Sequence, residues 1–385
     1  MGACFVAQRI TTARVDQNQR RRRGTGLIAL DPDVAFPGFT LFAPLTGGGE
    51  VHLVDLHGRT AHQWRFPYRP GRHARIVRGG ELAYNGVLPG EQALFPMWHK
   101  YRGGVMLRAA PDGEVLWEHR DPQQHHDAHH LDDGGVLYTG VEPLRGTEAS
   151  AVLGGVPGSE ADGTTVWADT ITEVGPDGST RWTWRAAEHL DRAAFPLHPD
   201  YAREHWPLIN SVTPLADGNV LASLRSVSAV VVISRSTGEI LWRTEPGTVS
   251  QQHCPTELDD GRLLVFDNGV FRPGHDVPYS RVVEIDRNDG RVAWEYHDPA
   301  KESFFAPFMG AAQRLPGGNT LVTDSPAGRI FEVTADGYLC WEYVVPHFGP
   351  YTETEVRSLF PAEPNAVFRA YRYAPEEIPW LDARP

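Results

Sequence analysis

His126, Asn210 and His253 each stand five residues before a leucine that opens a turn of the form Leu-x-x-Gly, and Gly310 holds the same place in a fourth copy. His73 lies near the equivalent place in an earlier copy, with the spacing off by one. Imidazoles converging from equivalent positions have two uses. They can ligate zinc, iron or copper and leave open positions for a substrate. They can also run acid–base and nucleophilic chemistry without a metal, because imidazole titrates near neutrality. Packed interiors favour apolar side chains, and a buried imidazole must find partners, so a row of them is a functional signal. Arg225, in Ser-Leu-Arg at the end of the next strand, presents a planar fork suited to an anionic group.

The tract His125–His130 (HHDAHH) has the look of a metal site. Strand alternation selects His126 as its site residue and leaves His129 and His130 to support or to surface. Cys254 follows His253, so in an extended strand it faces the other way and packs. The cysteines Cys4, Cys254 and Cys340 are odd in number and far apart, which gives neither a disulfide framework nor a CxxC knuckle.

The elements that must position these residues repeat. Asp112-Gly113, Asp177-Gly178, Thr237-Gly238, Asp289-Gly290 and Asp336-Gly337 are each followed by a tryptophan, at 117, 182, 242, 294 and 341. His57-Gly58 with Trp64 is a looser first copy. Such dipeptides mark two-residue hairpins, where glycine accepts positive φ. With the Leu-x-x-Gly turn upstream, each unit predicts a four-stranded antiparallel meander of propeller-blade size. Six tryptophans predict an all-β, six-bladed β-propeller. The blades fall near 38–67, 70–120, 124–186, 206–245, 250–298 and 308–346. Insertions are expected at 143–166 and at 186–206, the second helical or irregular. Residues 1–25 read as a disordered tail, 26–385 as one propeller domain, and 347–385 as a segment that packs on the first blade and closes the ring.

A net charge of −13 excludes a general phosphate-binding surface, so no nucleic-acid partner is expected. The basic residues number 36, of which only Lys100 and Lys301 are lysines. No apolar run reaches the ~18 residues of a membrane span, and the N-terminal stretch lacks the apolar region of an export signal. A cytoplasmic location without membrane contact is therefore expected.

Ordered segments across residues 24–375 resemble the bacterial PAPS-independent arylsulfate sulfotransferase family. The carriers are TGLIALDPDVAFPGFTLFAPLTGGGEVHLVDLHGRTAHQW, INSVTPLADGNVLASLR, QHCPTELDDGRLLVFDNGVFR, SRVVEIDRNDG, GAAQRLPGGNTLVT and GRIFEVTADG. The resemblance implies a six-bladed propeller, an aromatic small-molecule substrate and ping-pong sulfuryl transfer through a sulfated channel histidine, with no cofactor. It implies that His253 is the nucleophile, with His126, Asn210 and Arg225 as the other catalytic residues. His205, Trp206, Asp267, Asn268 and Arg272 are further expected to bind substrate. The chain departs from the family's Asp-Trp-x-His-x-Asn-Ser-Val at His205–Val212: Leu208 stands in the place of a sulfuryl-binding histidine, and His205 in that of the acid. The residues leave two other readings open. One is a metal-dependent oxidase, lyase or cyclase of specialised metabolism that holds one transition metal (Cu, Fe or Zn) on His126 and His253 with His73 or His205 as a further ligand. The other is a non-catalytic binding scaffold.

Overall fold

The computed structural model describes residues 24–90, 92–274 and 276–381. Most of the expected N-terminal tail lies outside them. The chain forms six radial sheets around a channel. Five blades take their inner strand from their own repeat: Pro70–Ile76, Gln124–His130, Ile209–Pro214, His253–Glu257 and Ala311–Arg314 in blades 2 to 6. Blade 1 does not. Residues 38–67 supply only its three outer strands, and Val367–Tyr373 from the C-terminal segment pairs antiparallel with Phe39–Pro44 as the inner one. Gly26–Leu30 adds a fifth, outermost strand to blade 6. Both terminal segments thus take part in closing the ring, and each blade keeps only short edges.

The tryptophan repeat has a physical cause that its sequence does not reveal. Each indole N–H donates to a carbonyl in the hairpin turn of the next blade. Trp64 reaches Ala110 at 3.2 Å, Trp117 reaches Pro176 at 2.9 Å, and Trp242 reaches Arg287 at 3.0 Å. Trp294 reaches Ala335 at 2.7 Å, and Trp341 returns to Leu56 of blade 1 at 2.8 Å. Blade 3 departs from the expected spacing: Trp184, not Trp182, makes the bond, to Gly238 at 2.8 Å. The aromatic is therefore a clasp between neighbouring blades as well as filler.

Two insertions roof one end of the channel. In blade 3, Gly154–Val156 pairs in parallel with Leu197–Ala202, and His205–Trp206 pairs in parallel with Val166–Val174. The 186–206 segment is thus a short helix, Ala186–His189, followed by strand rather than a helical excursion. In blade 2, the connection from Leu82–Val87 to Gly104–Ala109 carries the helical turn Trp98–Tyr101 over the same end.

Candidate active site

The inner strands are not regular where they meet the axis. The pairing register breaks between Pro70 and Ala74, between His125 and Ala128, between Ile209 and Ser211, and between His253 and Thr256. His126 and Cys254 take positive φ, 45° and 50°. Such bulges re-aim side chains. They split adjacent residues into two layers across the channel.

The inner layer holds Asp127, Arg369, Cys254 and His73. Arg369 forms two bonds to Asp127, at 3.1 and 3.0 Å, and its Nε lies 2.7 Å from Cys254 Sγ. His73 Nε2 lies 3.8 Å from Asp127, and its ring packs near Phe368 and Tyr371. His73 is therefore one residue, and one layer, away from the pocket, and the expected metal set His73, His126 and His253 does not assemble. Cys254 packs, as expected, but through a bulge rather than plain pleating. Burial pushes its thiol up to about 11.

The outer layer opens into a cavity of about 320 Å³ lined by Arg72, Lys100, Tyr101, His126, His205, Leu208, Arg225 and His253, with Tyr201, Phe271 and Phe308 among its apolar walls. His253 is held by a network that sets its tautomer. Asn268 Nδ2 donates to the carbonyls of Ala306 and Met309, both at 2.7 Å, which turns Oδ1 toward His253 Nδ1 at 2.7 Å. Nδ1 therefore carries the proton. The Nε2 lone pair accepts from the Met309 amide at a long 3.2 Å. Burial, then the nearby Arg225, holds the imidazole well below its usual range, so it is neutral.

His126 is neutral for the same reason: burial, then the positive charge of Arg72, holds it well below its usual range. Its Nδ1 lies 2.8 Å from His125 Nδ1. His125 Nε2 faces two acceptors, Asp169 Oδ1 at 2.9 Å and Gly140 O at 3.3 Å, and so holds its proton there. Burial keeps His125 neutral as well, so His126 Nδ1–H must be the donor to it. That leaves the Nε2 lone pair of His126 uncommitted in the pocket. His205 completes the wall, with Nε2 3.1 Å from Asp169 and Nδ1 3.0 Å from the Tyr101 hydroxyl.

Three cations face these imidazoles. Burial lowers Arg72 to about 9 and Arg225 to about 10, and it lowers Lys100 to about 7, helped by Arg72 and Arg225. Their hydrogen bonds go to carbonyls: Arg72 to Lys100 at 2.9 Å and Arg225 to Pro307 at 3.1 Å. Lys100 Nζ sits over the Phe308 and Phe360 rings, at 3.8 and 4.3 Å. None of the three has a carboxylate partner among the described residues. The cavity's own carboxylates are Asp200 on the exposed rim and Glu204, whose pKa burial raises. Arg72 is buried and Lys100 and Arg225 are half-buried; such unpaired cations are costly, and an anionic ligand lowers that cost.

The structure redistributes several expected site residues. His126, His253, Arg225 and His205 line the cavity. Asn210 does not: its Nδ2 donates to Gln252 O at 2.8 Å, beside His253. Trp206 is fully buried in the blade 3 and 4 core and donates to Phe195 O at 2.8 Å. Asp267 binds the Ser250 amide, Arg272 and Arg281, at 2.8, 2.9 and 2.7 Å, so Asp267 and Arg272 brace the blade 5 loop instead of lining the pocket. Asn268 supports His253 from behind. Sequence reasoning missed Arg72, Lys100 and Tyr101. Arg72 was findable, since it lies five residues before Val77, which fills the leucine slot of its copy. Lys100 and Tyr101 sit on an insertion that has no counterpart in the repeat.

Comparison with known proteins agrees with the fold. A family model described as Arylsulfotransferase (ASST) matches residues 89–345. No curated protein matches the chain. A crystal structure of a protein of unknown function from Bacteroides caccae is similar at 14% identity and a TM-score of 0.50, covering 80% of this chain and 94% of that one. A virginiamycin B lyase from Staphylococcus aureus with quinupristin is similar at 13% identity and a TM-score of 0.46, covering 84% and 89%.

Proposed function

The chain belongs to the arylsulfotransferase family, and from that premise we propose that it moves a sulfuryl group between aromatic hydroxyls in the roofed cavity, with His253 as the carrier. The observation that supports this reading best is a neutral, oriented His253 facing three cations that lack carboxylate partners. A uninegative aryl sulfate supplies part of the missing charge, and Tyr101, Tyr201, Phe271 and Phe308 suit its ring.

In this reading the Nε2 lone pair of His253 leaves the Met309 amide and attacks sulfur. An N–S bond forms, the S–O bond to the ring breaks, and the phenolate departs with the electron pair. Met309 N–H, freed beside Nε2, then donates to a sulfuryl oxygen, and Arg72, Lys100 and Arg225 stabilise the charge that develops on the oxygens. In the second half an acceptor phenol attacks sulfur. Its proton passes to the uncommitted Nε2 of His126, which releases it to solvent, where it balances the phenolate set free in the first half, and both histidines return to their starting states. No cofactor enters the cycle, and we place the activity in the cytoplasm.

The test is turnover of 4-nitrophenyl sulfate with a phenol acceptor, followed by acid-free peptide mass spectrometry for sulfated His253. Folded protein that turns over no aryl sulfate, across a panel of donors, would end this reading.

A further inference from the structure

In and behind the pocket wall, His205, His125 and Asp169 form the one cluster with metal-ligand spacing among the described residues, their ligand atoms lying within 4.8 Å of one another. Both imidazole Nε2 atoms converge on a single oxygen, Asp169 Oδ1, from 2.9 and 3.1 Å. The other oxygen, Oδ2, is buried with no partner. A fully buried carboxylate that serves two donors through one oxygen and leaves the second bare is poorly satisfied by protons alone.

The surroundings are those of imidazole ligands rather than of free imidazoles. Each ring is held at its far nitrogen, His125 by His126 Nδ1 at 2.8 Å and His205 by the Tyr101 hydroxyl at 3.0 Å. Such support fixes the orientation of a ligating ring. Phe95 packs on His205 at 5.4 Å and Trp98 on His125 at 6.0 Å, which keeps the site dry. Asp169 and His205 are brought together by the parallel pairing of His205–Trp206 with Val166–Val174, a contact that exists only because of the blade 3 insertion.

We propose that His125 Nε2, His205 Nε2 and an Asp169 oxygen bind one divalent first-row transition metal, of the kind that imidazole and carboxylate ligands select, such as zinc. Of the ligands expected from the sequence (His126 and His253 with His73 or His205) the site keeps only His205, and it does not depend on sulfuryl transfer. The ion takes the place of two N–H···O bonds. The proton on His125 moves to Nδ1 and donates to His126 Nδ1. The proton of His126 moves to its own Nε2, and the proton of His205 moves from Nε2 to Nδ1, where it donates to the Tyr101 hydroxyl oxygen, so no proton is released from these three rings. His126 then presents a donor to the pocket in place of a lone pair, and metal loading therefore sets which role that residue can play.

The experiment uses the full chain, stripped by chelator dialysis and titrated with Co(II) and with Zn(II). One equivalent per chain is expected, with visible Co(II) absorption in the range of nitrogen–oxygen ligation and with X-ray absorption showing imidazole neighbours. Asp169→Asn and His125→Gln, checked for folding by circular dichroism, should each weaken binding at least tenfold, while His73→Gln keeps the stoichiometry. Folded wild-type chain that binds neither ion stoichiometrically overturns the proposal, as does undiminished binding in folded Asp169→Asn. If the variants do not fold, the wild-type absorption spectrum decides, since sulfur neighbours would place the ion elsewhere. Nitrophenyl sulfate turnover is measured separately, so a loaded site without turnover tells against the sulfuryl reading and leaves the metal site standing.

Discussion

Arg369 reaches across the channel axis to Asp127, 242 residues away, and engages both carboxylate oxygens at 3.1 and 3.0 Å. It comes from the inner strand that the C-terminal segment lends to blade 1, and Asp127 from the bulge of blade 3. Asp127 also accepts from the Val212 amide of blade 4 at 2.9 Å, so the pair ties three blades beneath the pocket floor.

Removing one partner leaves a buried charge uncompensated. Arg369→Met should lower stability by about 3–5 kcal/mol, and Asp127→Asn by a similar amount. Chemical denaturation checks both. A double variant, Asp127→Leu with Arg369→Met, should cost less than the two singles together, because neither orphaned charge remains. Additive losses would mean that the pair is not a coupled unit.

Leu208 lines the cavity at φ 61°, and in our reading of the sequence resemblance a sulfuryl-binding histidine would stand there. Histidine tolerates that backbone region better than a bulky aliphatic residue does. A donor added to an oxyanion site is worth up to ~10²-fold in rate. Leu208→His should therefore raise aryl sulfate turnover by roughly tenfold or more at unchanged stability. A flat or lower kcat would show that the pocket has been rebuilt around leucine.

Lys100 is lowered to about 7 by burial and by Arg72 and Arg225. Below pH 7 it carries charge toward an anionic donor, and above it the charge is lost. The KM for an aryl sulfate should rise as pH passes upward through about 7. Loss of one charge-assisted contact corresponds to about a tenfold effect. Lys100→Met should show the high KM throughout that range. A wild-type KM that does not move between pH 6 and 8 (roughly one unit on either side of the group) contradicts the assignment.

Asn268 turns Oδ1 to His253 because its amide nitrogen is committed to two carbonyls. Asn268→Leu removes the acceptor for Nδ1–H and frees the ring to rotate. The expected result is a kcat lower by roughly 10²-fold with KM little changed, as for loss of an orienting group. An equal rise in KM would assign Asn268 to substrate binding instead.

The repeat was legible because blade structure is local. A two-residue hairpin needs glycine at positive φ, as at Gly113, Gly178 and Gly337 with φ of 90°, 81° and 83°, and each turn prints its own dipeptide. The clasping role of the tryptophans was not legible, since the acceptor of Trp341 lies in the first blade, at Leu56. In blade 3 the local spacing pointed to Trp182, whereas the neighbouring turn selects Trp184.

From the sequence by itself came the all-β class, the number of blades, the closing role of the C-terminal segment, and His126 and His253 as residues of one channel. These follow from periodicity, which depends on chain-local geometry. The tertiary structure alone decided which neighbours of those histidines face the pocket. Bulges move side chains between layers without changing the count, so His73 falls to the lower layer while Arg72 rises to the pocket, and Asn210 turns to Gln252. It alone also brought Lys100, Tyr101 and Asp169 to the site and set them against His205. Insertions and ring closure place them there, and the contacts they make span separations that no repeat spacing encodes: 104 residues between Tyr101 and His205, and 36 between Asp169 and His205.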